Sequence, residues 1–293
     1  MKLLTYRQNA ADHIGILADS SHIVPIEEFG ITCKNMTELI EQIDDTTWKT
    51  IQAKLREGGF STIPISSVEK RAPIPFPHQD IICLGINYMA HAEESARYKL
   101  ESSDGDRQYA IYFSKRVNEA NCDGGLIPAH ADIEDRLDYE AELAVIIKKD
   151  AKNVAVNDAF DYVFGYSIAN DISGRVLQNR HKQWYFGKSL DGFFPMGPWI
   201  VTEDEFERPP VLKIQSRVNG ELRQDSSTDL LIFDIAHVIH ELSQGMTLKA
   251  GTIISMGTPA GVGMGFTPPK FLNSGDVVEC SIEGIGTLTN TID

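Results

Sequence analysis

The chain reads as a mainly β protein with some α, and three observations predict this. Short apolar runs bounded by Gly, Pro and Asp turn signals recur from residue 81 onward, among them DIICLGI, AELAVII, YVFGYSIAND, GPWIVT, LKIQSRVNG, TIISMGT and DVVECSIEGIGTLTNTI. Helical periodicity is confined to a few stretches. Strands and helices do not alternate in the βαβ manner of a doubly wound sheet. At 293 residues, 42% hydrophobic and 24% charged, the chain is long enough to bury a sizeable core.

Taken in order, residues 1–72 form a small α+β unit. HIGILAD reads as a strand, and in TELIEQIDDTTWKTIQAKLREG the residues Leu39, Ile40, Ile43, Trp48, Ile51 and Leu55 recur at helical spacing. Residues 73–79 follow as an extended connector, with three prolines in five residues fixing φ and withholding donors. Residues 80–293 carry the strands, with one clear helix at DIAHVIHELSQG, where Ile235, Val238, Ile239 and Leu242 make the apolar stripe and Gly245 the stop. No internal repeat or low-complexity tract is present.

The net charge of −15 argues against nucleic acid and anionic membrane as partners, since both need basic surface. The opening MKLLTYRQNA lacks the apolar run of a signal peptide, and no stretch approaches the roughly 18 apolar residues of a membrane span. A cytoplasmic protein is expected. Cys33, Cys83, Cys122 and Cys280 are scattered without a C-x-x-C, which suggests reduced, mostly buried thiols.

Candidate chemistry starts at LDYEAELAVII. In a strand, Glu140 and Glu142 share a face, about 7 Å apart at the backbone, with Tyr139, Ala141, Leu143, Val145 and Ile147 alternating against them. Such a pair is unfavourable unless something positive lies between the carboxylates. Asp171, amid the apolar residues of YSIANDISGR, has the same need. Three converging carboxylates would suit Mg²⁺ or Mn²⁺, although E-x-E alone is a weak signal. In ICLGINYMAHAEES, His91 and Glu94 share a face if helical, either as a general-base dyad or as an ordinary surface pair. The polar residues 95–109 have a lid-like composition. Lys188 stands among aromatics in WYFGKSLDGFFPMGPW, as a snorkelling residue or as an anchor for a substrate carboxylate. GTPAGVGMGF lacks the G-K-[ST] of a phosphate loop; Gly257, Gly261, Gly263 and Gly265 read as turn formers whose backbone faces a ligand, with the Thr258 hydroxyl available to it.

Together and in this order, GINYMAHAEE, DYEAELAVII, DYVFGYSIANDISGR, GKSLDGFFPMGPW, RVNGELRQDSSTDLLIF, GTPAGVG, LSQGMTLKAGTII and SGDVVECSIEGIGTL resemble the fumarylacetoacetate hydrolase family across residues 80–293. The resemblance implies a mixed β-sandwich roll and a homodimer. It also implies Mg²⁺ or Mn²⁺ on Glu140, Glu142 and Asp171, a His91–Glu94 dyad, an active-site Lys188, and substrate contacts from Gln178 and Thr258. Ile86 departs from the pattern, since family members often carry Arg or Lys there. The implied activity is metal-dependent C–C bond cleavage of a small 2-oxo acid, as a fumarylacetoacetate or acylpyruvate hydrolase. Decarboxylation of oxaloacetate is the alternative, followed by isomerisation of an unsaturated dioic acid. A non-catalytic scaffold is the reading from another class, and the retained cluster of buried like charges argues against it.

Overall fold

The computed structural model describes residues 1–99 and 108–293. Their main feature is an eleven-stranded sheet facing a five-stranded one. From one edge, the large sheet runs Ile63–Pro64, His22–Pro25, Ala11–Leu17, Lys2–Gln8, Met196–Thr202, Val163–Asn170, Ala141–Ile147, Ile253–Ser255, Ile81–Gly85 and Ile111–Lys115, with Glu69–Lys70 also paired to Lys2–Gln8. The smaller sheet runs Glu221–Ser227, Lys213–Val218, Val277–Ile282, Gly286–Ile292 and Leu126–Ile127. The mixed β-sandwich expected from the sequence is present.

Strand Ala141–Ile147 lies deep in the large sheet, and all seven of its residues are buried. Its period of two feeds two cores. Leu143, Val145 and Ile147 pack with Ile214, Cys280 and Leu288 of the smaller sheet and with Val238 and Ile239 of helix Ile235–Gly245. Ala144 and Ile146 pack on the other face with Leu39 and Ile40 of helix Met36–Gln42 and Ile51 of helix Asp45–Glu57. A strand buried on both sides must be apolar at nearly every position, which explains the unbroken run LAVII. By the same alternation Glu140 and Glu142 project from the Ala144–Ile146 face.

The helical stretch of the first 72 residues forms two helices, Met36–Gln42 and Asp45–Glu57. Asp44 breaks it: its backbone is extended and its side chain accepts the Thr47 N–H at 2.7 Å, which satisfies an orphan donor at the new N-terminus. Helix Ile235–Gly245 forms as its stripe predicts, with Asp234 capping the His237 N–H. No helix among the described residues is long and apolar enough to cross a membrane.

The backbone ladder runs across the connector. Lys2–Gln8 pairs antiparallel with Met196–Thr202, with Lys2 opposite Val201 and Leu3 opposite Ile200, and the Met1 ammonium donates to Thr202 Oγ1 at 2.6 Å. Leu3, Ile14 and Ile16 share a core with Ala144 and Ile253. Removing residues 1–72 would uncover the Met196–Thr202 edge and that apolar face. The expected outcome is that residues 73–293 alone aggregate or lose a cooperative transition when thermal unfolding is followed by circular dichroism.

Candidate active site

The antiparallel ladder assembles the acidic cluster. Glu142 lies opposite Ala169 on strand Val163–Asn170, and just past the regular pairing the Asp171 N–H donates to the Glu140 carbonyl at 2.9 Å. Residues opposite one another share a face. Carboxylate oxygens of Glu140, Glu142 and Asp171 therefore converge, all within 4.8 Å of one another. The three side chains are buried, Asp171 completely.

Cations meet two of the three. Lys188, on the short helix Tyr185–Lys188, is 1% exposed and donates to Glu140 Oε2 at 2.6 Å and Asp171 Oδ2 at 2.7 Å. It is therefore no snorkelling side chain. Burial alone would lower its pKa, but Asp171 and Glu140 outweigh burial and hold it above the ordinary value. Lys115 donates to the other oxygen of Asp171 and to the Ile172 carbonyl. Arg175 pairs with Glu140 Oε1 at 2.8 Å and is itself held by Asp138 Oδ2. Burial acts to raise Glu140, yet Lys188 and Arg175 bring it below the ordinary range.

Glu142 differs. Among the described residues, its hydrogen bonds come from neutral donors, the Ser255 hydroxyl at 2.6 Å and the Gly257 N–H at 3.0 Å. Burial, then the charges of Asp171 and Glu140, push its pKa up to about 8. The cluster is short of positive charge at this carboxylate. A hard divalent ion, which takes oxygen ligands, fits such a donor set.

His91 and Glu94 lie one turn apart on helix Met89–Lys99, joined by a 2.9 Å contact between His91 Nδ1 and Glu94 Oε2. Glu94 Oε1 accepts the Gly261 N–H at 3.0 Å. With Nδ1 facing a carboxylate, the proton belongs on Nδ1 and the lone pair on Nε2. Both residues are buried, which removes the surface-pair reading.

The glycine-rich loop serves carboxylates. Gly257 donates to Glu142, Gly261 to Glu94, and Gly263 and Met264 to Asp138. Gly261 has φ +104°, and a Cβ there would come within 2.0 Å of the Arg223 carbonyl, so only glycine can deliver that amide. Thr258 Oγ1 donates to the Ala141 carbonyl at 2.9 Å and accepts from Gln224 Nε2 at 2.7 Å. Gln178 Oε1 accepts from Arg175 Nη1 at 3.1 Å.

A cavity of about 30 Å³ lies among these groups, lined by His91, Glu140, Glu142, Gln178, Lys188 and Thr258 with Arg175 and several apolar residues. The structure thus brings together all of the site residues expected from sequence, with Glu94 behind His91 and Asp171 behind Lys188. Lys115, Arg175, Asp138 and Gln224 were not singled out. A cation inside the apolar run of IYFSK and the arginine closing ANDISGR were the available signals. The lid expected at 95–109 falls largely on residues 100–107, outside the described residues.

Residues 80–293 match the family described as fumarylacetoacetate (FAA) hydrolase C-terminal. The chain belongs to this family. It is 48% identical to oxaloacetate tautomerase YisK of Bacillus subtilis over 237 residues, 80% of this chain and 77% of that protein. Among solved structures it resembles a fumarylacetoacetate hydrolase from Exiguobacterium antarcticum, with TM-score 0.81 and 36% identity over 100% of this chain and 99% of that one. It also resembles maleylpyruvate hydrolase from Sphingobium sp. SYK-6 in complex with manganese(II) ion and pyruvate, with TM-score 0.77 and 28% identity over 100% and 98% of the two chains. The chain is an enzyme of this family.

The raised pKa of Glu142 contributes to the pH dependence of the metal-free protein. Its folded value lies above the 4.5 of an unperturbed glutamate, so the folded state holds a proton that the unfolded state gives up. The contribution of this group to stability therefore falls as pH rises from about 4.5 to about 8 and is level above that. Denaturant unfolding of the metal-free protein across this window should show that decline, and Glu142→Gln should flatten it. Mn²⁺ affinity should rise over the same window, because binding displaces the proton.

Proposed function

We propose that the protein is a divalent-metal-dependent enzyme that acts on small 2-oxo acids through their enols, with keto–enol exchange of oxaloacetate as its leading activity. One observation carries this reading: His91, Glu140 and Glu142 line a single cavity, with Glu94 bonded to His91 and Asp171 completing the carboxylate cluster behind it. The identity to an oxaloacetate tautomerase supports the substrate.

Glu140, Glu142 and Asp171 would hold Mg²⁺ or Mn²⁺, which supplies Lewis-acid stabilisation of negative charge on the 2-oxo group. His91 acts as the base. Its Nε2 takes a proton from C3, while Glu94 fixes the ring and stabilises the imidazolium. The reverse transfer returns the proton to carbon. Lys188, which touches Glu140 and Asp171, and Gln178, held by Arg175, present cationic and amide donors to the substrate carboxylate.

C–C bond hydrolysis of an acylpyruvate is a second reading, supported by the hydrolase names of similar structures. There His91 would activate water instead of drawing a proton from carbon. Decarboxylation of oxaloacetate needs the same charge stabilisation but no base. Assembly as a homodimer belongs to the same proposal.

Two measurements test it. Exchange between enol and keto oxaloacetate, followed by enol absorbance, should require Mn²⁺ or Mg²⁺ and fall by on the order of 10²-fold or more in His91→Ala. Mn²⁺ affinity by calorimetry should be lost in Glu142→Ala and kept in His91→Ala. Exchange that persists at full rate in His91→Ala would overturn the assignment of the base. Pyruvate release from acylpyruvates at a rate exceeding exchange would favour the hydrolytic reading.

A further inference from the structure

Among the described residues, the lining of the cavity changes character beyond the ammonium of Lys188. The ammonium lies 5.3 Å from the centroid of the Phe113 ring, and Phe113 meets Trp184 edge-on, their centroids 5.2 Å apart at 75°. Trp184 is seated on the backbone of Gly85, where a Cβ would lie 2.4 Å from the indole, so this seat requires glycine. Ile86 follows with φ +52°, a region that a β-branched side chain avoids. The strain is held by Asn87, whose amide donates to the Phe233 and Met256 carbonyls and accepts the Phe233 N–H. Ile86, Phe113 and Trp184 all face the cavity.

The spacing between anchor and wall is fixed locally. Lys188 donates its backbone N–H to the Trp184 carbonyl at 3.1 Å, so one helical turn carries both the cation and the indole. The cavity as a whole is small, about 30 Å³, and Trp184 and Phe113 form part of its wall beside Lys188, so the indole limits how far the cavity can extend on that side.

We propose that Trp184, seated on Gly85 and backed by Phe113, is a length gate: it confines the part of a 2-oxo acid beyond C3 to a small group, so that short-tailed 2-oxo acids are accepted and long acylpyruvates refused. The proposal rests on the 2-oxo acid reading above and deepens it. Trp184 is a specificity-determining residue in this account and takes no part in proton transfer.

The test uses the Mn²⁺-loaded enzyme and two unreactive mimics that share one chelating end, oxamate and N-butyloxamate, with affinities measured by calorimetry. Wild type should prefer oxamate, and Trp184→Ala should narrow the preference by on the order of tenfold or more, the usual worth of hydrophobic fit at a specificity pocket. Trp184→Leu, the milder cut, should narrow it less and serves if the alanine variant does not fold. The ratio of kcat/KM for a long acylpyruvate to that for oxaloacetate should shift in the same direction. An unchanged preference in a folded variant that still binds oxamate would overturn the gate alone. Failure of the Mn²⁺-loaded wild type to bind oxamate at all would overturn the 2-oxo acid reading, and the gate with it.

Discussion

Three carboxylates buried within 4.8 Å of one another form the constraint to which the rest of this structure answers. Charges taken out of water are costly unless paired, and like charges held together cost more. The protein offsets the cost with cations drawn from separate parts of the chain: Lys115 from a sheet edge strand, Lys188 from a short helix, and Arg175 from the helix after Ser173–Gly174. The offset stops short at Glu142, whose carboxyl is left to hydroxyl and amide donors. That shortfall distinguishes a site prepared for a further cation from a closed ionic network, which would leave every carboxylate paired.

The same economy governs the loop from Met256 to Gly265. Its amides hold Glu142, Glu94 and Asp138 together, so the acidic cluster, the histidine dyad and the arginine support share one backbone segment. Gln224 ties that segment to strand Ala141–Ile147: its side chain accepts the Ala141 N–H at 3.1 Å and donates to Thr258 and to the Pro259 carbonyl. Networks of this kind stand or fall as a unit in low dielectric surroundings. The Thr258 hydroxyl, which lines the cavity, also holds this loop through the Ala141 carbonyl and the Gln224 amide.

Position in the sheet fixes the geometry of this cluster. The carboxylates lie at the end of a strand buried on both faces, where packing leaves little freedom to relax. The His91 imidazole enters from a helix that follows directly on strand Ile81–Gly85, and the Trp184 indole stands on the glycine that ends that strand. His91 and Trp184 are therefore referenced to one strand, while the cluster is referenced to its neighbours across the ladder.

Local pattern was enough to read part of this. Period two put Glu140 and Glu142 on one face, the i, i+3 spacing brought His91 and Glu94 together, and the apolar stripe with its Asp cap set helix Ile235–Gly245. The ordered motifs supplied the family and, through it, Asp171, Lys188, Gln178 and Thr258 as members of one site. Partners distant in sequence were not readable. Lys115 reaches Asp171 across 56 residues and Gln224 reaches Ala141 across 83, and nothing in the local spacing of either reports what stands opposite. The break at Asp44 lies inside the stretch of helical periodicity and is set by the Asp44 cap. Sequence alone thus determined which residues share a face. Tertiary structure decided which charge each face meets, and with it that Glu142 is the carboxylate of the three with no direct ion pair among the described residues, because electrostatic pairing depends on distance in space and not along the chain.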